Sequence, residues 1–197
     1  MSSSTNSTGS EAVAVSGQDR YFLIETNSSR IGFIGSKVTG RHNGGFRSFT
    51  GELVVKGGKI ADLGNKVVID TSTLWADNER LMTHLKSPDF FGVQQFPTAT
   101  FESTAVTQNG TNSTVAGRLT LHGITRHISF PASISVSADA VDIKAQFYIN
   151  RFDFNMKYAG KADDLIRKEV VIRLDIKAAP GRAEFKSAGI PWQIAPS

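Results

Sequence analysis

Four His, at positions 42, 84, 122 and 127, are the side chains of this 197-residue chain best suited to acid–base or metal chemistry. Their spacing argues against a metal site. None forms an H-x-x-x-H pair with a nearby Glu, the pattern that sets two imidazoles on one helix face to hold zinc. His122 and His127 flank a turn and point in different directions, so all four read as turn and rim residues. Ser and Thr are abundant, yet no G-x-S-x-G elbow presents a nucleophile. Asp163-Asp164 sits in a charged Lys161–Lys168 stretch and gives no hint of the opposed carboxylates that glycoside hydrolysis needs. Gly44-Gly45 and Gly57-Gly58 lie between strand-like runs rather than before a helix, so they read as turns and not as phosphate loops. The chain lacks Cys, which excludes disulfides, thiolate catalysis and Cys-based metal sites. No metal and no cofactor are expected. If one inward polar group drove chemistry, for instance an isomerase or dehydratase step on a small hydrophobic substrate, His84 and Asp153 are the candidates.

The aromatic load is the stronger signal. Thirteen Phe outnumber the three Tyr and two Trp together. They fall on short runs of period two, the mark of strands buried on one face. Ile128, Phe130, Ala132, Ile134 and Val136 alternate with Ser and Pro131. Val141 to Ile149, Val170 to Ile176 and Val115 to Leu121 alternate in the same way. Further strands are expected at Tyr21–Glu25, Arg30–Val38, Phe46–Lys56, Lys66–Thr73 and Thr98–Thr107. Turn signals at Asn109-Gly110 and His122-Gly123 separate several of them. Pro131 cannot donate to a ladder and marks an edge, bulge or bend. About eight strands with short connections predict an antiparallel meander closed into a barrel or sandwich. One interruption is helical, over about 77–93, with Asp77 as N-cap and Leu81 and Leu85 on one face. With Phe90 and Phe91 it covers one mouth.

An eight-stranded barrel is just wide enough to be filled by side chains or to hold one small ligand. Large Phe mixed with small interior residues (Gly32, Ala99, Gly117, Ala132, Ala145) would leave a tapered apolar slot. The expected lining is Phe33, Phe49, Phe101, Leu119, Leu121, Phe130, Phe147 and Phe154 from the strand region, with Leu81, Leu85, Phe90 and Phe91 from the cap. Arg118, Tyr148 and Arg151 are the candidates to orient a polar head at the mouth.

The net charge of +4 comes from scattered Lys and Arg with no run that tracks phosphates, so no nucleic-acid partner is expected. No apolar run reaches the length of about eighteen residues that a transmembrane helix needs. Residues 1–18 are Ser/Thr/Asn-rich, without a charged n-region or apolar h-region, and read as a flexible leader. The folded unit is expected over 19–180 and a tail over 181–197. On general frequency a two-fold homodimer is the expected oligomer.

Several stretches, in order, resemble the YceI-like family. Ile31-Gly32-Phe33 is similar to its i-x-F strand, and Gly45-Phe46-Arg47-Ser48-Phe49-Thr50-Gly51 to its G-x-F-x-x-F-x-G run. His84-Leu85-Lys86-Ser87-Pro88-Asp89-Phe90-Phe91 resembles HL-x-S-x-DFF, and Phe96-Pro97 to Phe101 resembles FP-x-x-x-F. Gly117 to Arg126 resembles G-x-L-x-x-HGVT-K, Arg151 to Phe154 resembles R-x-D-F, and Glu169 to Ile172 the last strand. The resemblance covers about residues 20–178 and departs where Tyr21 replaces an aromatic Trp and where Gly35 interrupts a strand. It implies an all-β, lipocalin-like antiparallel barrel that binds, stores or transports a polyisoprenoid, isoprenoid quinone or fatty-acyl lipid without catalysis. It also implies a periplasmic setting, because members are often exported. A protein-interaction module with a filled core is the remaining alternative.

Overall fold

The computed structural model describes residues 18–182. The expected leader and tail fall almost wholly on residues outside that range. The strands are β1 (Arg20–Ile24), β2 (Arg30–Lys37), β3 (Gly40–Phe46), β4 (Phe49–Lys56), β5 (Lys59–Ile60), β6 (Lys66–Asp70) and β7 (Leu74–Ala76). After the helix α1 (Glu79–Lys86) come β8 (Thr98–Asn109), β9 (Asn112–Leu121), β10 (Ile124–Val136), β11 (Val141–Asn150), β12 (Gly160–Lys161), β13 (Asp164–Leu165) and β14 (Glu169–Pro180). Single 3₁₀ turns occupy Thr71–Thr73 and Arg151–Phe154.

Eight strands close into an antiparallel barrel in the order β1-β4-β6-β8-β9-β10-β11-β14, with β14 returning to β1. Two-residue hairpins drive the long β8–β9–β10 meander. The second hairpin turns on His122 and Gly123, both at positive φ (50° and 71°), the geometry whose twist matches that of the flanking strands. His122 tolerates it because its Nδ1 lies 3.1 Å from the Phe154 carbonyl and its ring packs edge-on against Phe96.

The two ends of the barrel are built differently. β14 gives its C-terminal residues Ala178–Pro180 to β1, and Val171–Asp175 to β2. So β1 draws the barrel shut at one end, while the β2–β3–β7 layer flares at the other. Pro131 contributes to the flare. The β10–β11 ladder runs only from Ala132–Ala145 to Val136–Val141, and the strands part just before the residue that has no N–H to offer.

Two local expectations are corrected. Gly44-Gly45 is not a turn but the middle of β3, paired to Phe33 and Gly32 on one side and to Ala76 and Trp75 on the other. The glycines answer crowding instead: a Cβ on Gly44 would stand 2.3 Å from Phe33 Cζ and 2.7 Å from the Trp75 carbonyl oxygen. Because one of those contacts is backbone, Gly44→Ala should destabilise the fold by about 1–3 kcal/mol, read as a lowered urea midpoint at unchanged m. The helix N-cap is Asn78, whose side chain accepts from Leu81 N at 3.0 Å, and not Asp77. Asp77 is taken by β3: it accepts from the Asn43 N–H at 2.7 Å and lies 2.9 Å from His42 Nδ1.

Candidate ligand-binding cavity

Alternation decides which side chains enter the barrel, and the closure decides what they meet there. At the β1 end they meet one another. Phe22, Leu53, Val55, Ile60, Val115, Ile134, Val141 and Ala178 form a dry plug, with Phe22 and Val141 fully buried. At the flared end the same strands line a cavity of about 360 Å³. Its walls come from Ile31, Gly32 and Phe33 of β2, Val67 and Ile69 of β6, Ala99 and Phe101 of β8, and Leu119 and Leu121 of β9. Ile128, Phe130, Phe147, Ile149 and the inward face of β14 (Val170, Ile172, Leu174, Ile176) complete them. From Val170 to Ile176 the lined wall runs about 20 Å at the usual strand rise. Phe130 and Phe147 stack at 4.1 Å and 9°, and Phe101 tilts against Phe130 at 5.7 Å.

The cap is apolar too. Leu81 and Leu85 of α1, four residues apart, face down with Phe90 and Phe91 of the following turn. Phe91 packs edge-on to Phe46 at 5.5 Å. Polar lining gathers at this end alone, in Ser36, Lys37, His42 and Arg151. The Lys37 and His42 side chains are 35% and 38% exposed, so the cavity reaches solvent beside them.

Arg151 is the unusual group. It is 3% exposed, and its Nε and Nη2 donate to the carbonyls of Arg167 (3.0 Å) and Ile166 (3.2 Å), while Nη1 donates to that of Met156. Its guanidinium lies 4.7 Å from the centre of the Phe152 ring. No carboxylate among the described residues pairs with it. Burial pulls its pKa below the ordinary value, but a guanidinium stays charged at any physiological pH. A buried, uncompensated cation therefore stands at the neck of an apolar cavity.

The His42–Asp77 contact holds the start of the cap against β3. The Asn43 N–H chiefly, with His42, lowers the Asp77 pKa below its ordinary 3.8, against a smaller opposing effect of burial. A depressed carboxylate stabilises the fold above its unfolded pKa and loses that contribution as pH falls through the folded value. Stability should thus decline as the pH drops below about 4, and Asp77→Asn should flatten that decline in a pH series of thermal midpoints.

Ten of the twelve expected lining residues stand on this cavity: Phe33, Leu81, Leu85, Phe90, Phe91, Phe101, Leu119, Leu121, Phe130 and Phe147. Phe49 and Phe154 do not. Both are buried, but Phe49 packs into the plug-side core and Phe154 behind the wall with Ala99, Ile149 and Met156. Of the three head-group candidates only Arg151 lines the cavity. Tyr148 falls between inward Phe147 and Ile149 and is 68% exposed on the outer face. Arg118 likewise points outward and donates to Glu102 at 2.8 Å. His84 and Asp153 do not line the cavity; His84 Nε2 lies 2.9 Å from Asp89, and its ring packs against Tyr158 and Phe90. The aliphatic wall of Ile31, Val67, Ile69 and Ile128 was missed, although period-two parity marks it. Lys37, Met156 and Ile166 carry no signal in the sequence, being placed by a hairpin and a loop, and the sequence marks His42 only as a turn or rim residue.

The YceI-like domain family matches residues 22–178, most of the chain and all eight barrel strands except their outer ends. The chain belongs to the YceI-like domain family. Relatives include a UPF0312 protein of Pseudomonas aeruginosa, 33% identical over 123 residues, which are 62% of this chain and 61% of that protein. A UPF0312 protein of Pseudomonas putida is 28% identical over 66% of this chain and 71% of its own length. Among solved structures, this YceI-like barrel superposes on BcnA of Burkholderia cenocepacia with a TM-score of 0.72 at 20% identity, covering 79% of this chain and 99% of that one. It also superposes on a polyisoprenoid binding domain from Saccharophagus degradans with a TM-score of 0.64 at 17% identity, covering 83% and 100%. At such identities the likeness is one of fold.

Proposed function

We propose that this YceI-like domain binds one long-chain amphiphile, tail in the hollow half of the barrel and polar head at the Arg151 neck, and carries or stores it unchanged. The observation that carries the reading is the asymmetry of the interior: one half plugged, the other hollow, apolar throughout, with its cations at the open end only. A volume of about 360 Å³ lies within the usual range for small-molecule sites. Each methylene moved from water into such walls contributes about 0.8 kcal/mol, so a chain of ordinary lipid length supplies ample driving force.

A polyisoprenoid, an isoprenoid quinone or a fatty-acyl derivative all fit this description. The shared fold of the Saccharophagus degradans polyisoprenoid binding domain supports the first of them. The test is uptake of cis-parinaric acid, whose fluorescence rises in a dry site, followed by competition with solanesol and with oleate. Saturable uptake displaced by either lipid is the expected result. Failure to take up the probe, with no displacement of bound lipid on delipidation and retrial, would overturn the reading.

A further inference from the structure

The rim of the cavity mouth has a character of its own. Six large hydrophobic side chains stand exposed among the described residues, and four of them, Val38, Phe152, Tyr158 and Leu165, belong to this one end. Their placement follows from the contacts around the neck. Val38 lies in the β2–β3 turn next to Lys37, and Leu165 closes the open end of the β12–β13 ribbon, opposite Gly160 and next to Ile166; Lys37 and Ile166 both line the cavity. The turn and the ribbon are tied together by a bridge between Lys37 and Ile166 and by Asp164, which pairs with Lys37 and accepts from Thr39 N and Oγ1 at 3.1 and 3.0 Å. Tyr158 rests on His84 and Phe90 of the cap, and Phe152 lies under the Arg151 guanidinium.

Charge follows the same geography. The segments 36–42 and 157–168 hold six Lys or Arg against two Asp, which is the whole net charge of +4. The rest of the chain carries sixteen of each sign. Of the two Asp, Asp164 is spent on Lys37, and of the cations Lys168 has Glu169 at 3.8 Å. Arg41, Lys157, Lys161 and Arg167 stand exposed on the same two segments as Val38, Tyr158 and Leu165.

Exposed apolar side chains interspersed with surplus cations, set around the opening of an apolar cavity, match the chemistry of an anionic bilayer surface: acyl boundary beneath, phosphate headgroups around. We infer that this rim docks on an anionic lipid membrane, with Val38 and Leu165 entering the interface and the cavity mouth facing the bilayer. The inference goes beyond ligand binding itself and would let a lipid pass between membrane and barrel without crossing water.

The experiment is sedimentation of the full chain with phosphatidylcholine vesicles, with and without phosphatidylglycerol, alongside parinaric acid uptake in vesicle-free buffer. Partition onto the anionic vesicles should exceed that onto neutral ones by about tenfold at low salt and weaken as salt is raised. The double variant Val38→Asp and Leu165→Asp should lose most of that partition with uptake and far-ultraviolet dichroism unchanged. Should that variant fold poorly, Lys157→Gln with Lys161→Gln, two exposed positions, should weaken partition onto anionic vesicles alone. A protein that takes up parinaric acid but ignores both vesicles overturns the docking inference and leaves the cavity reading standing. Equal binding to neutral vesicles, or partition untouched in both variants, also overturns it. So does a vesicle-free dimer that the Asp variant dissolves, which would assign the rim to a second copy of the chain.

Discussion

Replacing Phe147 with Asp should abolish lipid uptake while leaving a folded barrel. The ring supplies about 2–3 kcal/mol of apolar contact to a tail lying on the Phe130–Phe147 stack. A carboxylate in its place must also be stripped of water whenever a tail enters, so a loss of about a hundredfold or more in affinity is expected. Folding suffers less than in a filled core, because the hollow lets water reach the carboxylate when no lipid is bound. Phe49→Ala is the contrasting change. Phe49 is 3% exposed in the plug-side core and does not touch the cavity. It should cost about 3–5 kcal/mol of stability with uptake unaltered in the folded protein. Parinaric acid titrations and urea melts on both variants make the comparison. Parallel losses in both would mean that uptake merely follows stability.

Arg151→Met should have two separable effects. The three carbonyls of Met156, Ile166 and Arg167 lose a charged donor, and the loop that they belong to loses its anchor. A destabilisation of about 3 kcal/mol or more is expected in denaturant melts. Three of the five N–H donors of the guanidinium serve those carbonyls, which leaves donors for a ligand head. Removing a charge-assisted contact should weaken oleate by about tenfold, while solanesol, an alcohol, should lose far less. Competition of the two lipids against parinaric acid reads the difference. Equal weakening of both would reduce Arg151 to a structural anchor.

The barrel strands and the inward face of each could be read from alternation, because period two fixes which side chains point inward, and the helical cap from Leu81 and Leu85 four residues apart. Alternation is silent on which end of a strand is filled. Val141 and Phe147 share one inward face of β11, yet one is sealed in the plug and the other lines the hollow. That outcome depends on β14 leaving β1 for β2 along its length, a pairing between residues far apart in sequence. The same limit misplaced Phe49 and Phe154. Gly44-Gly45 looked like a turn because the crowding that requires glycine comes from Phe33 and Trp75 across two ladders. Arg118 and Tyr148 were open to correction by parity alone, since each sits between inward neighbours. Arg151 lies in a 3₁₀ turn where no alternation applies, so the sequence offers it as a head-group candidate without fixing where its side chain points.

The most direct measurement is native mass spectrometry of the protein purified without detergent, followed by organic extraction. The account predicts a mass excess that vanishes on extraction and matches a single prenyl, quinone or acyl chain. A bare chain mass, from a protein that also takes up neither solanesol nor oleate when they are added, would contradict it.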